Sequence, residues 1–173
     1  DGVVHRRAYS ASRAPGDPAL RITVKRVPGG VVSTHLTTRI GVGDTLGLLG
    51  PSGSFIVSPG DGAPRHIVLL GGGSGITPLY AIAEAALRGD PAARVTLVYG
   101  NRRRESVIFA EALDALVVAH PHRLTVIHAL EDAPEGYAGI VGRLDDAALG
   151  AALGTLDAGD LYYVCGPTPM REA

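Results

Sequence analysis

IVLLGGGSGITPLYAIAEAALR, residues 67–88, holds three parts of one structural unit in order. IVLL (67–70) is a short continuous apolar run, the pattern of a strand covered on both faces. PLYAIAEAALR (78–88) places Leu79, Ile82, Ala83, Ala86 and Leu87 at helical spacing. Between them lies GGGSG (71–75), a loop that is costly to order unless something must approach its backbone closely. A helix N-terminus carries unpaired N–H groups and about half a positive charge, so a diphosphate suits this place. Thr77 stands where it would cap the helix, with Pro78 at the first helical position. No Gly-Lys-Ser/Thr follows, which excludes a P-loop, and Ile76 occupies the third glycine position of G-x-G-x-x-G counted from Gly71. The alternative is a tight strand–helix turn with nothing bound.

The alternation continues downstream. RVTLVYG (94–100), RLTVIHAL (123–130) and DLYYVCG (160–166) read as strands. ESVIFAEALDALVVAH (105–120) carries a stripe of Ile108, Phe109, Ala112, Leu113 and Leu116, and LDDAALGAAL (144–153) reads as a short helix. Apolar strands alternating with amphipathic helices specify a parallel sheet covered on both faces. Upstream the pattern differs. VVHRRAYS (3–10), ALRITVKRV (19–27), TLGLLG (45–50) and PSGSFIVS (51–58) are predicted strands, and VSTHLTTRI (32–40) a short helix. PGDGAP (59–64) is the expected boundary, giving domains at 1–60 and 65–173.

Composition narrows the function classes. The chain has 173 residues, 46% hydrophobic and 19% charged, which fits a globular protein. Its 16 basic and 17 acidic side chains leave a net charge of −1, with no field of one sign to attract nucleic acid. No apolar run approaches the ~18 residues of a spanning helix, and no signal peptide is visible, so no membrane partner is expected. Cys165 is the single cysteine, which rules out an internal disulfide and a four-cysteine iron–sulfur cluster in these residues. A reducing, cytoplasmic location fits. The six histidines lack metal spacing, and no metal site is expected. Asp1 at the start and MREA at the end read as the ends of a fragment.

RAYS (7–10), GGVVS (29–33), GSGITP (73–78) and CGPTPM (165–170) occur together in the order and spacing of the ferredoxin–NADP reductase-like flavoproteins, which the chain resembles over nearly its whole length. VTLVYGNRRRESVIF (95–109) and RLTVIHALE (123–131) look most like the reductase components of bacterial multicomponent oxygenases, of the steroid-hydroxylase and phenylacetyl-CoA-epoxidase type. The resemblance implies a β plus α/β architecture: an antiparallel flavin-binding barrel, N-terminally incomplete, followed by a nicotinamide-binding parallel-sheet domain, C-terminally truncated. It implies FAD, held by Arg7 at a phosphate, Tyr9 against the isoalloxazine and Ser10 near its N5. Ile22, Thr23, Val24 and Lys25 would line the flavin, and Gly30, Val31, Val32 and Ser33 would meet its diphosphate. Gly73, Ser74, Gly75, Ile76 and Thr77, with Asn101 and Arg102, would meet the nicotinamide dinucleotide. Cys165, Gly166 and Pro167 would sit beside the nicotinamide ring, with Met170 behind it.

The residue types suit these roles. Arg offers a charged fork to phosphate, Tyr a flat face to a flat heterocycle, and a Ser hydroxyl both donates and accepts. Each also has an ordinary alternative: Arg7 paired with a surface carboxylate, Tyr9 a core aromatic, Cys165 a buried small hydrophobe. The implied reaction is hydride transfer from nicotinamide C4 to flavin N5, where the strand carrying Tyr9 meets the strand ending at Cys165. It needs no general base, so Ser10 and Cys165 are the candidate catalytic groups. Electrons would pass onward to a [2Fe-2S] centre outside these residues, in a further domain or a ferredoxin, and then to an oxygenase component. NADH is favoured over NADPH, because the Ser-Arg pair that holds the 2′-phosphate in plant-type relatives is replaced by Ala129-Leu130. Arg102, Arg103 and Arg104 are the substitute clamp, or else a solvated cluster. A short barrel would expose strand edges, so these residues alone are expected to be unstable and to bind flavin poorly. Competing readings are a free flavin reductase, a flavohaemoglobin-type reductase module, and a non-catalytic flavin- or nucleotide-binding regulatory module.

Overall fold

The computed structural model describes residues 3–58, 65–154 and 161–172. The expected boundary at 59–64 lies outside them. Five strands form one parallel sheet: β1 (His66–Gly72), β2 (Arg94–Asn101), β3 (Leu124–Leu130), β4 (Ile140–Val141) and β5 (Leu161–Cys165), in spatial order β4-β3-β2-β1-β5. A short helix, α1 (Val31–Thr38), precedes the sheet. Helices α2 (Ile76–Gly89), α3 (Ala110–Ala119) and α4 (Asp146–Gly154) cover its faces, and α5 (Thr168–Arg171) follows β5.

The side-chain alternation of β1 divides the core. Ile67 and Leu69 join Val95, Leu97 and Tyr99 of β2 beneath α2 and α3. Val68 and Leu70 join Val98 and Ala129 on the other face, beneath Leu149 and Ala152 of α4. Every residue of β1 is therefore buried, as its unbroken apolar run requires. α2 buries the predicted stripe, Leu79, Ile82, Ala83, Ala86 and Leu87, together with Ile76, Thr77, Pro78, Tyr80 and Glu84.

Three details differ from the sequence reading. The helix expected over 105–120 is interrupted: a 3-10 turn spans Arg104–Ser106, Phe109 adopts a left-handed conformation (φ 64°), and α3 starts only at Ala110. β4 has no counterpart among the expected strands, because two residues between turns give no periodicity. Thr77 does not cap α2. The helix begins at Ile76, and the Thr77 hydroxyl donates to the Ser74 carbonyl at 3.1 Å, tightening the turn from inside the helix.

The largest difference is at the N-terminal side, where no regular strand or barrel forms among the described residues 3–58. The strands predicted at 3–10, 19–27, 45–50 and 51–58 reduce to a single antiparallel bridge, Ala11 to Ile22. The bridge is reinforced by Ser12 N–H to the Arg21 carbonyl at 2.9 Å and by Thr23 Oγ1 to Ser12 Oγ at 3.0 Å. A strand exists only as part of a ladder, and alternating residues signal one only where a neighbouring chain takes up the backbone groups. Here Val42, Leu46, Leu48 and Leu49 remain exposed. The predicted short helix does form, as α1.

Contacts at both ends of this segment join it to the sheet domain. Glu84 of α2, only 5% exposed, accepts hydrogen bonds from Arg13 Nη1 at 2.6 Å and the Ala14 N–H at 3.2 Å. At the other end the Tyr163 hydroxyl of β5 donates to the Ile56 carbonyl at 2.9 Å, and its ring meets Phe55 edge-on at 5.4 Å.

Candidate functional site

Strand order reverses direction beside β1: β2, β3 and β4 lie on one side and β5 on the other. In open parallel sheets the crevice beyond the carboxyl ends at such a reversal is where ligands bind. Both motifs singled out in the sequence end there. β1 runs out at Gly72 into a 3-10 turn, Gly73–Gly75, which leads directly into α2. β5, paired with β1 through Cys165 opposite Gly71, runs out at Cys165 into Gly166, Pro167 and α5.

The glycines have two different reasons. A Cβ on Gly75 would fall on the Cys165 carbonyl group, and one on Gly72 would lie 2.8 Å from both Met170 Sδ and Pro167 Cδ. Gly166 returns the constraint, with a virtual Cβ 2.7 Å from Met170 Sδ and 3.2 Å from the Gly72 nitrogen. These three glycines let the β1 turn press against the β5 turn, and so bring Cys165, Gly166, Pro167 and Met170 against the loop. Gly73 is different: it has φ +52°, and the nearest atom to its virtual Cβ is Lys25 Nζ at 3.6 Å. Its backbone faces open space bounded by one cation from the N-terminal segment. Ser74 beside it is exposed.

Tyr99 fixes this turn, a role the sequence hides. Its hydroxyl donates to the Gly73 carbonyl at 2.8 Å and accepts from the Ile108 N–H at 3.3 Å. Burial pushes the phenol up to about 12, against smaller opposing pulls from the nearby Asn101 amide and the Ile108 N–H. The hydroxyl sits within the apolar run LVY, so only its place at a strand's carboxyl end hints at a function. Asn101, at the end of β2, is 7% exposed. Its amide lies near the Tyr99 hydroxyl, but neither its oxygen nor its nitrogen completes a hydrogen bond within the chain. Such a group costs ~1–3 kcal/mol and asks for a ligand or water.

Beyond Asn101, an open depression of about 440 Å³ is lined by Arg102, Arg103, Glu105 and Ser106. The arginines are paired. Asp132 Oδ2 accepts from Arg102 Nε at 3.2 Å and Arg103 Nε at 2.9 Å, and Arg104 lies 3.8 Å from Asp114. The hydrogen bonds from Arg103 and then Arg102 hold the Asp132 carboxyl below the usual carboxylate range.

On the N-terminal side, Arg7 and Ser10 are exposed and Tyr9 half-buried. The Arg7 guanidinium donates only to the neighbouring Arg6 carbonyl, at 2.7 Å, and among the described residues no carboxylate pairs with it. The surface ion pair that is its alternative is thus not formed, and an unpaired cation fits an anionic ligand. Ile22 and Thr23 belong to the bridged segment, and Lys25 reaches the glycine turn rather than lying apart from it. Ser33 of α1 is buried, its hydroxyl accepting from the Val27 N–H at 3.2 Å and donating to the Gly30 carbonyl at 3.4 Å. A Cβ on Gly30 would stand 2.6 Å from that hydroxyl. The hydroxyl is thus committed to the turn, which leaves the first N–H groups of α1 as its free donors.

A helix start at a switch point, a buried unpartnered amide and an arginine without a carboxylate partner among the described residues mark a candidate site for an anionic ligand. The oxidoreductase NAD-binding domain family matches residues 69–173, and the oxidoreductase FAD-binding domain family matches residues 1–56. The chain belongs to the oxidoreductase NAD-binding domain family. It is 40% identical over 168 residues to the ferredoxin reductase component of 3-ketosteroid-9-alpha-monooxygenase from Mycolicibacterium smegmatis, covering 96% of this chain and 44% of that one. It is 33% identical to a component of the 1,2-phenylacetyl-CoA epoxidase of Escherichia coli K12, covering 99% and 49%. The crystal structure of an Amycolatopsis cytochrome P450 reductase superposes with a TM-score of 0.82 at 30% identity, covering 99% of this chain and 51% of that one. The expected kinship with ferredoxin–NADP reductase-like flavoproteins of oxygenase systems is borne out. The chain spans about half the length of these relatives. No helix among the described residues is long and apolar enough to cross a membrane, and no group of potential metal ligands occurs among them.

Proposed function

We propose that the chain carries the flavin- and nicotinamide-binding parts of an NADH-dependent flavoprotein reductase that feeds electrons through an iron–sulfur centre to an oxygenase. The observation that carries this reading is the pressed pair of turns, Gly72–Gly75 against Cys165–Pro167, at the carboxyl ends of β1 and β5. The division at 1–60 and 65–173 follows the change from bridged, irregular chain to parallel sheet.

Bound flavin and nicotinamide supply the redox chemistry, a hydride passing from one to the other. The chain's own residues bind and orient. N–H groups of the Gly73–Gly75 turn offer donors to a diphosphate, supported by the α2 dipole, while the Ile76 N–H closes the turn onto the Gly73 and Ser74 carbonyls and Thr77 follows in the first turn of α2. The Lys25 ammonium near Gly73 adds a positive charge on the same side. The Asn101 amide has unmet capacity to donate and accept at the nucleoside end. Cys165, Gly166 and Pro167 form a wall beside the nicotinamide position, with Met170 packed behind Gly72 and Gly166. Arg7 offers an unpaired guanidinium to a flavin phosphate, Tyr9 a ring face, and Ser10 a hydroxyl for N5; Gly30–Ser33 present the α1 start to the flavin diphosphate. NADH is the favoured donor, because the buried Ala129 and Leu130 offer no side-chain ligand to a 2′-phosphate. The relatives named as ferredoxin reductase components of an oxygenase support the onward partner.

The test is anaerobic absorbance spectroscopy of the chain loaded with FAD. Bleaching of the flavin band on addition of NADH supports the reading. A bound flavin that stays oxidised with NADH and NADPH sinks it, in favour of a non-catalytic nucleotide-binding module.

A further inference from the structure

We propose that Glu84 is a positioning residue: by holding Arg13 and Ala14 it fixes the segment that carries Tyr9 and Ser10 against α2, and so sets how flavin and nicotinamide approach each other. The inference rests on the reductase reading above and adds to it a residue outside the binding turns.

Glu84 is a charged residue among apolar ones. α2 turns Leu79, Ile82, Ala83, Ala86 and Leu87 into the core, and Glu84 is buried with them at 5% exposure. A buried carboxylate is costly unless charged or hydrogen-bonding donors meet it. The N-terminal segment supplies two: Arg13 Nη1 at 2.6 Å and the Ala14 N–H at 3.2 Å. Arg88, on the same helix, stands farther off at 3.7 Å and is exposed. The charge of Glu84 is thus met chiefly from outside its own domain, which makes it specific for one placement of the segment.

Both ends of this contact lead to the candidate site. Arg13 lies three residues beyond Ser10, between the buried Ser12 and Ala14. The Ala11–Ile22 bridge and the Ser12 N–H to the Arg21 carbonyl, at 2.9 Å, tie in the second flavin-facing stretch, Ile22–Lys25. On the other side Glu84 lies eight residues beyond Ile76 on one unbroken helix, about 12 Å along its axis. That helix begins where the Gly73–Gly75 turn ends, and its buried stripe pins it to the sheet. A shift of the segment at Arg13 is therefore a shift of Tyr9 and Ser10 relative to the turn. The contact of Tyr163 with Phe55 and Ile56 lies at the far end of the segment from both flavin-facing stretches.

The test pairs two measurements. In the first, the chain loaded with FAD is mixed anaerobically with NADH, and the rate of flavin bleaching is compared with NAD affinity from calorimetry. Misplacing a reacting group by about 1 Å can cost about a hundredfold in rate, so Arg13→Met and Glu84→Gln are expected to slow bleaching about tenfold while NAD affinity changes less than about twofold. Arg13→Lys, which keeps a cation, is expected to recover most of the rate, and Tyr163→Phe to match the wild type. In the second, amide hydrogen exchange of the chain without cofactor is expected to quicken at Ser12 and Ala14 in Arg13→Met and to stay unchanged over Ile76–Leu87. Equal bleaching rates in the wild type, Arg13→Met and Glu84→Gln overturn the proposal and leave the reductase reading standing. So do unchanged exchange at Ser12 and Ala14, an equal slowing in Tyr163→Phe, or an affinity loss as large as the rate loss, which would place the effect in α2 itself. A wild type that binds FAD but is not reduced by NADH overturns the reductase reading as well.

Discussion

Gly75→Ala tests the packing of the site at its tightest point. The added Cβ falls on the Cys165 carbonyl carbon and oxygen and 2.9 Å from the Gly166 nitrogen. All three are backbone atoms, so no rotamer change relieves the overlap. The β5 turn must move away from the α2 start, or α2 must tilt off the sheet. Overpacking costs about 1–3 kcal/mol, and a backbone-to-backbone clash belongs at the upper end, about 3 kcal/mol. For a chain of this size each kcal/mol lowers Tm by roughly 2–4 °C, so a fall of about 6–12 °C is expected. Gly73→Ala is the control. Its Cβ meets nothing nearer than Lys25 Nζ at 3.6 Å, and its cost is only that of a left-handed alanine, about 1 kcal/mol. Differential scanning calorimetry of the two variants gives the ranking. A Gly75→Ala protein as stable as wild type, or more stable than Gly73→Ala, would refute the close approach of the two turns.

Further outcomes follow from single groups. Tyr99→Phe removes the bond to the Gly73 carbonyl and is expected to cost about 1 kcal/mol by denaturant titration. The folded phenol titrates at about 12 rather than 10.0, so the stability linked to it is complete below pH 10 and is lost as pH rises toward 12. Melts across that window should fall less steeply in Tyr99→Phe; equal slopes would contradict the burial argument. Asn101→Leu removes an unpartnered buried amide, so it should hold or raise stability by up to about 1 kcal/mol while weakening NAD binding severalfold by calorimetry. A variant that loses stability but binds normally would show that the amide is structural. Arg13→Met leaves the buried Glu84 carboxylate with a weaker set of partners and should cost about 1–2 kcal/mol, discounted for the one-third exposure of Arg13. An unchanged urea midpoint would show that this contact does not hold the N-terminal segment to α2.

The α/β half is legible because its signals are redundant. Ile67–Leu70 is apolar without a break since β1 is buried on both faces, and the stripe of α2 faces one of them. The loop between them reads as an anion-ready turn, but the sequence suggests one reason for its glycines where the structure has two. Only Gly73 keeps its backbone open; Gly72 and Gly75 make room for β5, a partner roughly ninety residues away that no local pattern announces. Tyr99 and Asp132 escape a sequence reading for the same cause. Each acts across the sheet, through register that exists only once β2 lies beside β1 and β3. The N-terminal strands fail differently. Their alternation is real in sequence, but only Ala11 and Ile22 find a ladder partner among the described residues.

The most direct measurement is a backbone amide spectrum of the isotopically labelled chain titrated with NAD. The account requires the largest shifts at Gly73, Ser74, Gly75 and Ile76 and, together with them, at Cys165 and Gly166. Saturable shifts confined to residues away from the carboxyl ends of β1 and β5 would contradict it.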